Sequence, residues 1–170
     1  MVSLAVRIFV DMKRSELIIP IEEKSFKELQ SEELELVEAA RSIARDAYAP
    51  YSKFRVGAAL RLKSGRIVTG SNQENAAYPS GLCAERTALF YAGAQYPDDP
   101  VVALAVTAMR DDNLYVAVAA PCGGCRQVIL ETADRYKSPF PVYLAGPDSV
   151  QIVADCRQLL SLIHILRSLL

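Results

Sequence analysis

Histidine is almost absent from this chain: one residue, His164, in 170. It stands outside any ligand-spacing motif, so a histidine ligand set for a metal is excluded and thiolates are left to supply one. An excess of charge is also missing. Lys and Arg number 19 against 20 Asp and Glu, a formal net charge of −1. That leaves no global electrostatic footprint for nucleic acid and favours a small, nearly neutral substrate. No apolar stretch has the length and purity of a transmembrane helix, so no membrane partner is expected. Residues 1–10 are mildly apolar, but Arg7 interrupts them and no small-residue cleavage site follows, so a signal peptide is not expected. Internal repeats and linkers are lacking too. At 170 residues, 51% hydrophobic and 23% charged, the chain has the material for one well-buried core and too little for two comfortable domains.

Against these absences stand four cysteines. Without a secretory signal they point to metal or catalysis in a reducing compartment, the cytoplasm, and away from a disulfide framework.

The hydrophobic pattern divides the chain into an N-terminal extension (1–30), a domain (31–160) and an apolar tail (161–170). Met12 is a plausible alternative start, which would make the first eleven residues upstream read-through. The run Leu17 to Ile21 predicts an edge strand. Ser31 reads as a helix N-cap, with Glu32, Glu33 and Glu35 in the positive first turn. Leu36, Val37, Ala40, Ala44 and Ala47 then recur at helical spacing to about Tyr48, and Pro50 stops the helix. Residues 55–62 and 66–70 read as a hairpin across Lys63-Ser64-Gly65. A polar loop follows from Asn72 to Gly81, then a helix from about Cys83 to Gly93. Val101 to Met109 is a continuous apolar run, as expected of a strand buried on both faces. A further helix spans Cys122 to about Tyr136, with Pro121 leading into it. Pro141–Leu144 and Val150–Val153 read as short strands, and the chain from Asp155 onward as helical. Strands alternating with helices predict an α/β domain with helices on both faces of one sheet.

The chemistry concentrates in Cys83-Ala84-Glu85 and Pro121-Cys122-Gly123-Gly124-Cys125. Cys122 and Cys125 are three apart, so on a helix their sulfurs share one face and can meet one ion. Both are expected in the first turn, where backbone N–H groups and the helix dipole favour thiolate; Cys83 opens its own helix likewise. Three thiolates offered to one Zn²⁺ leave a net charge of −1, which Arg86 can offset by donating to a thiolate. Glu85, two residues after a ligand, is placed to take a proton from an activated water and return it to a substrate. That is the layout of a hydrolytic zinc site with an open fourth position. Three other readings compete. A structural zinc would need a fourth ligand, which only Cys156 or His164 could supply as thiol or imidazole. A redox C-x-x-C has no use for the distant C-x-E. Cysteines buried by chance as small hydrophobes would not fall into two correctly spaced motifs.

Three stretches resemble the cytidine deaminase family, specifically its small, three-cysteine, homotetrameric type: Tyr48 to Ala59 (YAPYSKFRVGAA), Gly70 to Leu89 (GSNQENAAYPSGLCAERTAL) and Pro121 to Ile129 (PCGGCRQVI). The resemblance spans roughly residues 46–145. It implies a three-layer α/β/α sandwich around one mixed central sheet. It implies Zn²⁺ on Cys83, Cys122 and Cys125, with Glu85 carrying protons as water adds at C4 of a pyrimidine nucleoside and ammonia leaves. It further implies that Asn72 and Glu74 hold the ribose hydroxyls, that the Ala84 N–H meets the base carbonyl, and that Phe54 and Tyr78 contact substrate. The bland alternatives are a solvated loop for Asn72 and Glu74 and a core aromatic for Phe54.

Family members acting on deoxycytidylate, tRNA or DNA usually carry His at the first ligand position, where this chain has Cys83. Deaminases of cytosine-bearing antibiotics share the cysteines and lack the Asn-x-Glu-Asn loop found at residues 72–75. Both points favour cytidine and deoxycytidine, in pyrimidine salvage. The ending departs from the family. Leu159-Leu160 is followed by Ser161 where Leu-Leu-Pro and a nearby Phe are typical, and no aromatic residue occurs after Tyr143. Two readings stay open: a non-natural terminus, or an unusually apolar helical tail packing between subunits.

Overall fold

The longest apolar run becomes the middle of the sheet. In the computed structural model, which describes residues 18–110, 114–116 and 118–160, Val101–Arg110 forms strand β4. It pairs with β2 (Phe54–Leu62) on one side and β5 (Val142–Ala145) on the other. β3 (Ile67–Ser71) lies beyond β2, while β6 (Ser149–Val153) and β1 (Glu22–Ser25) lie beyond β5, giving the order β1-β6-β5-β4-β2-β3. β4 and β5 are parallel and the other neighbours antiparallel, so the sheet is mixed as expected. Helix α1 (Ser31–Ala44) covers one face. Helices α2 (Ala84–Gln95) and α3 (Gly123–Tyr136) cover the other.

Both faces are therefore dry. Leu36, Val37 and Ala40 of α1 pack on Ala59, Ala105 and Val150. Ala88, Ile129 and Ala133 of α2 and α3 pack on Leu60, Leu62 and Leu104. Side chains alternate across a strand, which is why neighbouring Ala59 and Leu60 serve opposite layers. Full burial of each such leucine contributes about 2 kcal/mol. Small residues bring the helices close. A Cβ on Gly70 would stand 2.6 Å from the Ala88 nitrogen and 2.8 Å from the Ala84 oxygen, so only glycine lets the start of α2 lie directly on β3. Gly57 meets Ala40 and Ala44 of α1 in the same way on the opposite face.

Connectivity then places the two helix starts together. β3 and β4 are both antiparallel to β2, so they run the same way, and β5 runs with them. α2 links β3 to β4 and α3 links β4 to β5 across one face. Each helix therefore starts beyond the carboxyl end of a strand, at the same edge of the sheet.

Several expectations need correction. Leu17 lies outside the described residues, and residues 18–21 form no strand; the edge strand is the polar Glu22–Ser25. An edge strand is held by its backbone and is safest with charged side chains outward, so apolarity was the wrong cue. The N-cap of α1 is Gln30, whose N–H donates to the Glu33 carboxylate at 2.8 Å. The helix ends at Ala44, short of Tyr48, because the Tyr48 N–H bonds the Asn72 carbonyl at 3.1 Å and its own carbonyl accepts the Glu74 N–H at 2.8 Å. β5 starts after Pro141, which lacks an N–H. The last described turn, Cys156–Leu160, is a 3-10 helix. The tail 161–170, His164 included, lies outside the described residues, as do the first eleven.

Candidate active site

Each crossover helix opens on a cysteine. Cys83 is the N-cap of α2 and Cys122 that of α3, both with extended backbone, and Cys125 lies in the first turn of α3. Cys122 thus stands one step outside the turn where it was expected. The three Sγ atoms all lie within 4.8 Å of one another. Cys83 and Cys122 are 3.9 Å apart, and Cys122 and Cys125 are 3.4 Å apart. Tetrahedral zinc with bonds of about 2.3 Å needs sulfurs about 3.8 Å apart, so the tripod has the right size. Among the described residues no further Cys, His, Asp or Glu joins the group. Cys156 is buried in the core beneath the helices, its N–H bonded to the Phe140 carbonyl at 2.9 Å. Within the described residues the tripod leaves the fourth corner of a tetrahedron open. Cys122 is exposed, Cys83 half-buried and Cys125 buried, so the tripod sits at the surface edge of the sheet.

The electrostatics favour ionised sulfur next to a reluctant acid. The Cys83 thiol is drawn down to about 5, mainly by a hydrogen bond from the Cys125 thiol, with Arg86 and Cys122 adding to it against burial. Cys125 moves up, because its S–H donates a hydrogen bond to the Cys83 sulfur and so holds its proton, and because it is buried and faces Glu85. The Arg86 guanidinium donates from Nη2 to Cys83 Sγ at 3.4 Å. Glu85, the second residue of α2, is 4% exposed. Burial pushes its carboxyl above the ordinary 4.5 and the Cys83 charge adds to this, opposed by its own backbone N–H, Cys125 and Arg86. A buried carboxyl shifted upward in this way binds a proton more readily than an exposed one, as a group that accepts and returns protons must.

The loop expected to recognise substrate is anchored beside Cys83. Gln73 and Leu82 exchange backbone hydrogen bonds of 2.8 and 2.9 Å, bringing residues 72–74 alongside the start of α2. Asn72 bonds the first residues of β2: Oδ1 accepts from the Val56 N–H at 2.7 Å and Nδ2 donates to the Phe54 carbonyl at 3.0 Å. Glu74 Oε2 accepts the Tyr51 and Ser52 N–H groups at 2.9 and 3.3 Å. The Ser52 hydroxyl and those amides hold the Glu74 carboxyl below its usual range. Neither residue is a merely solvated loop side chain. Phe54 is 38% exposed and so is not a core aromatic, and Tyr78, in the 3-10 turn Tyr78–Ser80, is 91% exposed. Ala84 is fully buried at the first position of α2. A separate groove of about 240 Å³, lined by Leu89, Phe90, Val128 and Tyr136 among others, contains none of these residues.

Residues 30–137 match the family model of the cytidine and deoxycytidylate deaminase zinc-binding region. The chain belongs to the cytidine deaminase family. A cytidine deaminase of Halalkalibacterium halodurans is 49% identical over 96 residues, covering 56% of this chain and 68% of that protein. A probable cytidine deaminase of Dictyostelium discoideum is 36% identical over 134 residues, covering 78% and 84%. The crystal structure of a Burkholderia pseudomallei cytidine deaminase superposes with a TM-score of 0.60 at 40% identity, covering 74% of this chain and 93% of that one. As a deaminase of this family the chain is a zinc-dependent enzyme, and its thiolate tripod suits Zn²⁺. Among the described residues no helix is long and apolar enough to cross a membrane. Sequence reasoning passed over Arg126, quoted only inside the matching stretch. Its side chain bonds the Pro121 carbonyl at 2.8 Å. A cation in the first turn of a helix, where the dipole disfavours it, was the signal available.

Proposed function

We propose that this cytidine deaminase family member hydrolyses cytidine and deoxycytidine to uridine and deoxyuridine in pyrimidine salvage. The observation that carries this reading is Glu85, buried beside a tripod of thiolates that no fourth protein ligand closes among the described residues. Zinc bound by Cys83, Cys122 and Cys125 would supply the Lewis acidity that makes water a nucleophile near neutral pH. Glu85 takes a proton from that water and passes it to N3 as the water oxygen bonds to C4. It then carries the second proton to the exocyclic nitrogen, the C4–N bond breaks, and ammonia leaves behind a C4 carbonyl. Arg86 keeps the tripod from becoming too electron-rich by donating to Cys83.

Recognition falls to the neighbouring segments. The Ala84 N–H belongs to the first turn of α2, whose amides have no partner within the helix, and it donates to the base carbonyl. Phe54 and Tyr78 supply aromatic surface for the base. Asn72 and Glu74 meet the ribose hydroxyls. Each Asn72 amide atom has one bond in the fold and capacity for a second, which supports that role. A site built to bond hydroxyls rejects free cytosine strongly. A homotetramer is supported by aromatic side chains bared in the same stretches, Tyr48 at 56% and Tyr51 at 63% exposed. A cytoplasmic location is supported by four free cysteines.

The test is the ultraviolet change when zinc-loaded protein meets cytidine, with free cytosine and a Glu85→Gln variant as controls. We expect the cytidine band to be lost with wild type alone while the variant keeps its zinc. A Glu85→Gln variant that turns cytidine over at the wild-type rate would sink the mechanism.

A further inference from the structure

The least sheltered ligand of the tripod is Cys122. It is exposed, and its Sγ contacts in the described structure are with the thiols of Cys83 and Cys125. Cys83 has Arg86 on its sulfur and Cys125 is buried; what orients Cys122 is its backbone. Arg126 holds that backbone twice. Its own N–H donates to the Cys122 carbonyl at 2.9 Å, and its Nε donates to the Pro121 carbonyl at 2.8 Å. A longer contact of 3.4 Å runs from Nη1 to the Leu159 carbonyl, in the 3-10 turn Cys156–Leu160 that packs on α3. A cation in the first turn of a helix opposes the dipole, and no acidic residue stands in that turn of α3 to compensate it. What holds the cation there instead is its pair of carbonyl contacts, Pro121 and Leu159. Both helices that deliver thiolates thus carry an arginine at their start, Arg86 on α2 and Arg126 on α3.

We propose that Arg126 is a positioning residue for the metal: by gripping the Pro121 carbonyl and anchoring it to the last described turn, it sets the backbone from which Cys122 meets the ion. The inference rests on the zinc reading of the tripod and not on which substrate is taken. A perturbation of the Cys156–Leu160 turn is then felt at zinc through Leu159, with Arg126 as the connection.

The test uses the zinc-loaded full chain and two readouts without substrate: the rate of zinc transfer to the chelator 4-(2-pyridylazo)resorcinol, and the thiolate-to-cobalt absorption of the cobalt(II) form. Arg126→Met removes both side-chain bonds; Arg126→Gln keeps one amide donor. Arg41→Met is the control, because Arg41 bonds the Gly146 and Pro147 carbonyls at 2.7 and 3.2 Å from the opposite face of the sheet. Outer partners of metal ligands typically change affinity by about 10–100-fold, so Arg126→Met is expected to release zinc at least about tenfold faster with a shifted cobalt band. Arg126→Gln is expected in between. Arg41→Met should lower thermal stability and leave release near the wild-type rate. Release within about threefold of wild type and an unchanged cobalt spectrum in Arg126→Met would overturn the proposal, as would equal release from Arg41→Met. Should Arg126→Met not fold, Arg126→Gln is judged by the same threefold limit. A wild type that holds zinc and leaves cytidine untouched would instead sink the substrate reading and leave this one standing.

Discussion

Replacing Gly70 with alanine separates how the site is seated from how the protein is held together. The added Cβ would approach the Ala88 nitrogen to 2.6 Å where ordinary contact begins at 3.4 Å, so the start of α2 must lift from β3 by about 0.8 Å. The obstructing atoms are backbone, and no rotamer change relieves them. Overpacking of this kind costs about 1–3 kcal/mol, which for a domain of this size lowers Tm by several degrees, ~2–4 °C per kcal/mol. The lifted turn carries Cys83, Ala84 and Glu85, and misplacement of reacting groups by about 1 Å can cost about 100-fold in rate. Gly57→Ala makes a more severe backbone clash, 2.1 Å from the Ala40 oxygen and 2.7 Å from the Ala44 nitrogen of α1, on the face away from the tripod. Steady-state deamination should be measured at a temperature where both variants are fully folded by circular dichroism. We expect kcat to fall by ~10- to 100-fold in Gly70→Ala and to stay near wild type in Gly57→Ala. Equal kcat in the two variants would refute the claim that this contact sets the depth of the catalytic turn.

Three further outcomes can be checked. Asn72→Ala removes bonds to Val56 and Phe54 at once and should lower stability by ~1–3 kcal/mol, raising KM for cytidine more than it lowers kcat. In zinc-free protein the Glu85 carboxyl lies above its unfolded value, so its favourable contribution is complete below about 4.5 and fades as pH rises through the elevated folded value. Thermal melts of metal-free Glu85→Gln should therefore gain on metal-free wild type as pH increases from acid toward neutral, and a gap independent of pH would contradict that assignment. Stripping zinc with a chelator should lower Tm of the wild type, with recovery on adding Zn²⁺ in proportion to the logarithm of its free concentration.

What was legible in the sequence was local. The continuous apolar run at Val101–Met109 announced a strand covered on both sides, and the cysteine spacings announced the thiol tripod and the helix starts that carry it. What escaped depends on residues far apart in the chain. Nothing near Tyr48 says that its backbone will pair with the 72–74 segment and cut α1 short. The bonds of Glu74 to Tyr51 and Ser52 span 23 and 22 residues and have no periodic signature. Gln30 replaced Ser31 as the cap because the Glu33 carboxylate reached back to Gln30, a competition between adjacent candidates that propensity alone does not decide. The edge strand escaped because pairing there is a property of backbone and neighbours, and its side chains carry no burial pattern to read.

The side-by-side start of two crossover helices has a consequence for how a molecule becomes finished. Cys122 and Cys125 come together as soon as the first turn of α3 forms, but Cys83 lies 39 residues before Cys122. It joins them only when both crossovers have docked on the sheet. A half-assembled chain can offer the ion two sulfurs and no more, so it lets go quickly, whereas the completed topology closes the tripod and retains it. Metal retention is thus an inspection that the fold performs on itself, and a chelator challenge during refolding would count the molecules that pass.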